Sequence, residues 1–306
     1  MSPSSGLKFW APVTYVVVSA VMVFAVGVPT SRDLVFLWFV IGMGAFSVTD
    51  LRRKVPRLLM EWAPFVAILL LYDRLRGVAD GLVFHARELP QLHVETALFG
   101  KPIPTVWLQS HLWDGAGHLH WWDYATWFVY LTHFFATLVV AAVLWTWFHD
   151  RFAPYATMVC VLAVTGFATY ALYPAVPPWL AARHGNIGES NRLVGIVWHH
   201  VPIAHYGSLF EKGQSYANNV AAMPSLHAAY ALLISLYLWR IVPRWARVPL
   251  ALYPPAMAFA LVYSGEHFVV DCLVGWVYAV AAYWGVTRVF AWRARRGEAL
   301  EPAFAD

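Results

Sequence analysis

Eight apolar runs of near-membrane-spanning length constrain this chain more than any other feature. They cover 11–29, 33–49, 58–73, 123–148, 154–174, 224–242, 247–265 and 268–291. A helix crossing a bilayer needs about 20 mostly apolar residues, with roughly 17–25 as the usual range. The second and third runs are short and predict helices that tilt little or extend by a turn. Of the 306 residues, 60% are hydrophobic and 12% charged, against about 45–50% and roughly 25% in a soluble domain. A soluble fold with so little charge would leave large apolar patches in water. That argues against a soluble enzyme, a disordered chain or a nucleic-acid-binding protein, and for an all-α polytopic membrane helical bundle with about eight transmembrane helices. The first run follows a single Lys8 and lacks a small-x-small cleavage site, so it reads as an uncleaved span.

Basic residues near span ends orient such a bundle toward the cytoplasm. With the N-terminus inside, the inner segments hold Lys8, Arg52, Arg53, Lys54, Arg57, Arg151, Arg240, Arg244, Arg247, Arg288, Arg293, Arg295 and Arg296, 13 of the 21 Lys and Arg. Seven of the remaining eight are spread over two long polar stretches, 74–122 and 175–223. Every alternation agrees, which predicts both termini in the cytoplasm and both long loops outside. The formal charge of +4 adds little, because membrane proteins keep Arg and Lys to fix topology. The excess of 17 Arg over 4 Lys hints at a GC-rich coding sequence and hence a bacterial plasma membrane. Cys160 and Cys272 both lie inside apolar runs and read as small buried residues.

Three short segments carry chemistry. Met223-Pro224-Ser225-Leu226-His227 stands at the outer start of the sixth run. Proline suits a first helical turn, whose N–H groups lack partners, and those groups with Ser225 make an anion site at the helix's positive end, beside His227. Glu266-His267-Phe268-Val269-Val270-Asp271 opens the eighth run. His267 and Asp271 are four apart and would share a helix face. An aspartate just inside a membrane is expensive without a partner, and a carboxylate beside an imidazole fixes its tautomer and orientation. The plainer reading is a capping pair that ties two spans together. Tyr173-Pro174-Ala175-Val176-Pro177-Pro178-Trp179 leaves the fifth run; on its own it is a rigid exit from a membrane helix.

Together these segments resemble the type-2 phosphatidic acid phosphatase superfamily, and within it the branch that includes inositol phosphorylceramide synthases. The resemblance spans roughly the third to the eighth helix. It implies a six-helix phosphatase-like catalytic core over 58–292, two added N-terminal helices over 1–57 and a cytoplasmic tail over 293–306. It further implies phosphoryl chemistry through a covalent phosphohistidine, without metal or other cofactor. His267 would attack phosphorus, Asp271 would orient it, and His227 would protonate the leaving oxygen. An unperturbed imidazole pKa near 6.5 lets modest local fields hold one ring neutral and the other protonated.

Hydrolases of the superfamily carry a Lys and an Arg-Pro in the first motif, and a Ser-Arg pair six residues before the nucleophile. Here the latter positions read Ala260-Leu261, and no Arg-Pro ends the fifth run. Arg74 and Arg76 are the first candidates to meet the phosphate charge, with Arg183 and Lys212 behind them, since guanidinium matches phosphate oxygens. Headgroup anchoring explains Arg74 and Arg76 about as well. Ser225 and Tyr173 are expected to line the phosphate site. His133, inside the fourth run with Tyr130 three residues before it, is either a cavity-lining residue or a packed core histidine. His111, Asp114, His118, His120 and Asp123 lie among Trp107, Trp113, Trp121 and Trp122, a mixture better suited to an interfacial segment than to a metal site.

The expected activity is a membrane phosphotransferase that moves a phospho-headgroup, phosphoinositol by resemblance, from a membrane lipid donor to a hydroxyl on an acceptor lipid or sugar. Its site would lie on the extracytoplasmic face. Two readings compete: a lipid or polyprenyl phosphate phosphatase with water as acceptor, and a non-catalytic lipid-binding membrane protein. Acceptor-dependent headgroup exchange separates the first two, and loss of function in His267→Ala separates both from the third.

Overall fold

Each of the eight apolar runs folds as a helix in the computed structural model, which describes residues 3–26, 32–46, 48, 51–78, 86–201 and 220–297. In chain order the helices are α1 (Pro3–Val26), α2 (Arg32–Phe46), α3 (Leu51–Val78), α4 (Leu89–Phe99), α5 (Pro104–Leu112), α6 (Trp121–Trp147), α7 (Phe152–Leu172), α8 (Pro178–Arg183), α9 (Leu193–His200), α10 (Leu226–Leu238), α11 (Arg247–Tyr263) and α12 (Val269–Arg295). No strand occurs among the described residues; Arg87, Ala175 and Ala221 form only isolated parallel bridges. The fold is an all-α polytopic bundle. The described residues of the two stretches expected as polar loops include short helices, α4 and α5 in the first and α8 and α9 in the second.

Among the described residues, five helices are long and apolar enough to cross a membrane: α1, α6, α12, and α7 and α11 with their leading 3-10 turns. The other three apolar helices are shorter, at Leu37–Phe46, Leu58–Leu71 and Leu226–Leu238. The 13 residues of α10 extend only about 20 Å at 1.5 Å each. That suffices because α10 is the centre of the bundle, packed on α6, α7, α11 and α12. Ala228, Ala229, Ala231 and Leu233 are almost wholly buried, and a helix apolar all round belongs inside protein. By contrast α1 packs chiefly on α2, and no residue of its apolar stretch Gly6–Val23 is buried within the protein.

Two features fix the neighbours of α10. Pro254 sits inside α11 and has no N–H to give the Leu250 carbonyl one turn back. Ser235 of α10 donates its hydroxyl to that freed oxygen at 2.7 Å. On the other side Gly275 of α12 passes so close to Ser225 that an added Cβ would collide with the Ser225 carbonyl oxygen. Gly275→Ala is therefore expected to destabilise the protein by about 1–3 kcal/mol, read as a lowered unfolding temperature in detergent. Gly285→Ala is the control. Its added Cβ meets open space, and Ala gains up to about 1 kcal/mol in a helix.

Candidate active site

The N-terminal tip of α10 and the approach to α12 lie side by side. Ser225, not Pro224, begins α10: its hydroxyl accepts the Ala228 N–H at 3.3 Å. The expected helical turn at Pro224 is thus corrected, because a serine oxygen can cap the free N–H groups while the proline precedes them. The Ser225 N–H donates to the Asp271 carbonyl at 3.0 Å, and the Tyr170 hydroxyl donates to the Pro224 carbonyl at 2.7 Å. These bonds lock the tips of α7, α10 and α12 to one another.

His267 lies outside α12, and this corrects the expected pairing along one helix face. Phe268 is the N-cap and Asp271 the third helical residue. The Phe268 N–H donates to Asp271 Oδ2 at 2.9 Å, so the aspartate caps its own helix. The residue just before the cap then folds back over it, setting His267 Nδ1 3.6 Å from Asp271 Oδ2. That is slightly beyond hydrogen-bond range, as catalytic contacts without substrate often are. His267 is 5% exposed and Asp271 fully buried. Neither His267 Nδ1 nor Asp271 Oδ1 has a hydrogen-bond partner among the described residues, a rarity for buried polar atoms that calls for an explanation at this position.

The imidazoles of His227 and His267 stand 5.6 Å apart between ring centroids, inclined at 59°. Tyr130 stacks on His227 at 5.1 Å, and His133 lies against it at 3.8 Å. The fourth-run histidine therefore belongs to this cluster. With Nδ1 turned to Asp271, His267 has Nε2 left to act as a nucleophile.

The candidate cations are distributed differently. Arg74 and Arg76 lie near the end of α3, but their side chains fall outside the described ones, as does Lys212 altogether. Arg183 is exposed, its guanidinium 4.9 Å from the Trp179 ring centre. Tyr173 ends α7, with the exposed Arg87 guanidinium 5.1 Å over its ring. Arg192, which motif reasoning passed over, lies on Trp179 at 5.4 Å and holds Glu266, the residue before His267, in a two-pronged pair at 2.7 and 3.2 Å. Burial works against the Arg192 charge, but Glu266 outweighs it and raises the guanidinium pKa above its ordinary value. The Trp179 backbone N–H also donates to the Gly265 carbonyl at 3.1 Å, which ties the proline-rich exit of α7 to the turn before His267.

Glu95 was missed as well. Fully buried, it accepts the Val269 N–H at 3.0 Å and the Val270 N–H at 3.2 Å. The His and Asp cluster of residues 111–123 forms no group of three metal-binding side chains among the described residues. His120 pairs with Asp114 at 2.8 Å, His111 stacks on Trp107, and Asp123 accepts the Tyr263 hydroxyl at 2.5 Å.

A family model described as PAP2 superfamily matches residues 92–285, which include Glu95, His133, Arg192, His227, His267 and Asp271. A curated protein of Bacteroides thetaiotaomicron, named phosphoinositol dihydroceramide synthase, is 30% identical over 125 residues. That stretch covers 36% of this chain and 37% of the relative, so well under two thirds of the relative's length is matched. No solved structure matches the chain.

Proposed function

The chain belongs to the PAP2 superfamily, and from that premise we propose that it is a membrane phosphotransferase moving a phospho-headgroup between a lipid and an acceptor hydroxyl through a phosphohistidine. The observation that carries the reading is the pair of imidazoles 5.6 Å apart, one of them backed by a buried carboxylate. Reacting atoms in a near-attack arrangement stand about 3–3.5 Å apart, so a phosphorus on one ring and its leaving oxygen on the other fit such a gap.

In the first step His267 Nε2 forms a bond to phosphorus as the P–O bond to the lipid alcohol breaks, and that oxygen takes the proton of His227. In the second, the acceptor hydroxyl gives its proton to His227 and its oxygen to phosphorus as the N–P bond breaks. Asp271 holds the Nδ1 edge of His267 and offsets the positive charge that develops there. The reaction needs no metal. Ser225 shapes the α10 tip where phosphate oxygens would sit, and His133 supports His227 from behind. Arg192, paired with the residue before His267, and Arg87, over the Tyr173 ring, join Arg74, Arg76, Arg183 and Lys212 as candidate phosphate-binding cations.

A groove of about 800 Å³ between α7 and α12, lined by Thr165, Ala168, Thr169, Ala281 and Gly285 among others, supports a lipid substrate, since it gives an acyl chain a place along the bundle. The relative's printed name points to phosphoinositol as the transferred group and a dihydroceramide as acceptor. Its source and the Arg excess support a bacterial membrane. The distribution of Lys and Arg supports both termini in the cytoplasm and the site outside.

The test is product analysis with purified protein, chelator, and phosphatidylinositol labelled in its phosphate. Label appearing on dihydroceramide only when that acceptor is added is the expected result. Label released as free phosphate or inositol phosphate at the same rate without acceptor would make the protein a hydrolase. A strict need for added divalent metal would remove the metal-free mechanism.

A further inference from the structure

The positive end of the helix that follows the candidate nucleophile is already filled. The first four N–H groups of an α-helix lack partners within the helix and attract anions. At α12 two of them, from Val269 and Val270, are taken by the two oxygens of Glu95. The N-cap N–H of Phe268 is taken by Asp271 Oδ2. Glu95 comes from α4, 174 residues earlier than Val269, in the first of the two long inter-span segments. It is 0% exposed, as is Asp271. Two carboxylates thus flank the tip of one helix, out of water, with His267 directly before it.

Burial of this kind is costly for a charge unless hydrogen bonds and a helix end compensate it. The pKa of Glu95 is raised by burial; the Val269 and Val270 bonds oppose that rise and the nearby Asp271 adds to it. A carboxylate gives each of the two N–H groups its own acceptor oxygen, which a glutamine with one oxygen and an NH2 group cannot do. It also brings a charge to the helix tip that carries Asp271.

We propose that Glu95 is a positioning residue of the nucleophile: it fixes the tip of α12 that carries Asp271 and supplies a second buried negative charge at that tip, which favours the imidazolium formed when His267 attacks phosphorus. The inference rests on the phosphohistidine reading and assigns Glu95 no contact with substrate. Its effect is on the rate of N–P bond formation, through the placement of Asp271 and the field at the helix tip. Because the α12 end is closed by Glu95 and Asp271, phosphate is left to the α10 tip.

The experiment is rapid-quench labelling of the full chain in detergent with phosphatidylinositol labelled in its phosphate, without acceptor, comparing wild type and Glu95→Gln. The amplitude of acid-labile label on the protein reports the folded fraction, and the rate constant reports chemistry. Glu95→Gln is expected to keep a measurable amplitude while its rate constant falls about 10- to 100-fold, with KM for the lipid within about twofold. A lowered amplitude with a wild-type rate constant would reduce Glu95 to a structural cap and overturn the proposal. If Glu95→Gln yields no folded protein, Glu95→Asp decides in the same way, since it keeps the charge but withdraws it from the two N–H groups. Absence of any acid-labile label on the wild type would instead remove the proposed function itself, and this inference with it.

Discussion

His267→Ala is expected to lower lipid turnover by at least about 10⁴-fold and to abolish acid-labile phosphate on the protein. Removing a nucleophile costs more than removing any group that assists it, because the covalent route disappears and only binding and electrostatic help remain. The geometry makes the prediction sharp. With Nδ1 held toward Asp271 at 3.6 Å, only Nε2 can reach phosphorus, and a methyl group offers neither lone pair nor ring. The substitution should leave the fold intact. His267 precedes α12 rather than lying within it, and its backbone N–H bonds to the Leu261 carbonyl at 3.3 Å whatever the side chain. Unchanged unfolding temperature with lost turnover is therefore the expected pair of results. Retention of full turnover would remove His267 as the nucleophile and the phosphohistidine route with it.

The residues of this centre were legible in the sequence because their context is so apolar. In a chain with 12% charged residues, an Asp four positions after a His at the start of a membrane run is conspicuous. His227 stands out beside a proline and a serine for the same reason. The mechanism of their pairing was not legible. A spacing of four implied one helix face, whereas the chain uses Asp271 as a cap and brings His267 back from outside the helix. Helix boundaries two residues either way decide between these arrangements, and they depend on which side chain wins the free N–H groups.

Glu95 and Arg192 were beyond reach for a different reason. Their partners stand 174 and 74 residues away, so no local pattern marks them. Both lie in stretches whose composition reads as polar loop, and only the packing of α4 and the Trp179 segment against the α12 tip gives them roles. His133 falls between these cases. It was visible as an intramembrane histidine, but its contact with His227 required knowing that α6 and α10 touch at that level.

His227→Gln provides the complementary result, and its size should depend on the leaving group. Protonation of a leaving oxygen by a positioned acid is worth about 10²–10⁴-fold, and that is the loss expected with a lipid whose alkoxide leaves poorly. A phosphodiester with an acidic phenol as leaving group needs little protonation, so the defect in the first step should shrink to within about tenfold. The second step still needs a base, because by microscopic reversibility the ring that protonates the departing alcohol is the one that takes the proton of the incoming acceptor. With the activated donor, His227→Gln should therefore accumulate label on His267 that added acceptor discharges slowly. His267→Ala should show the same large defect with both donors and no accumulation. The contact of His133 with His227 does not blur the comparison, since His133 is present in both variants. An equal defect of His227→Gln with the two leaving groups would place the proton elsewhere, and would leave the ring 5.6 Å from the nucleophile without a chemical role.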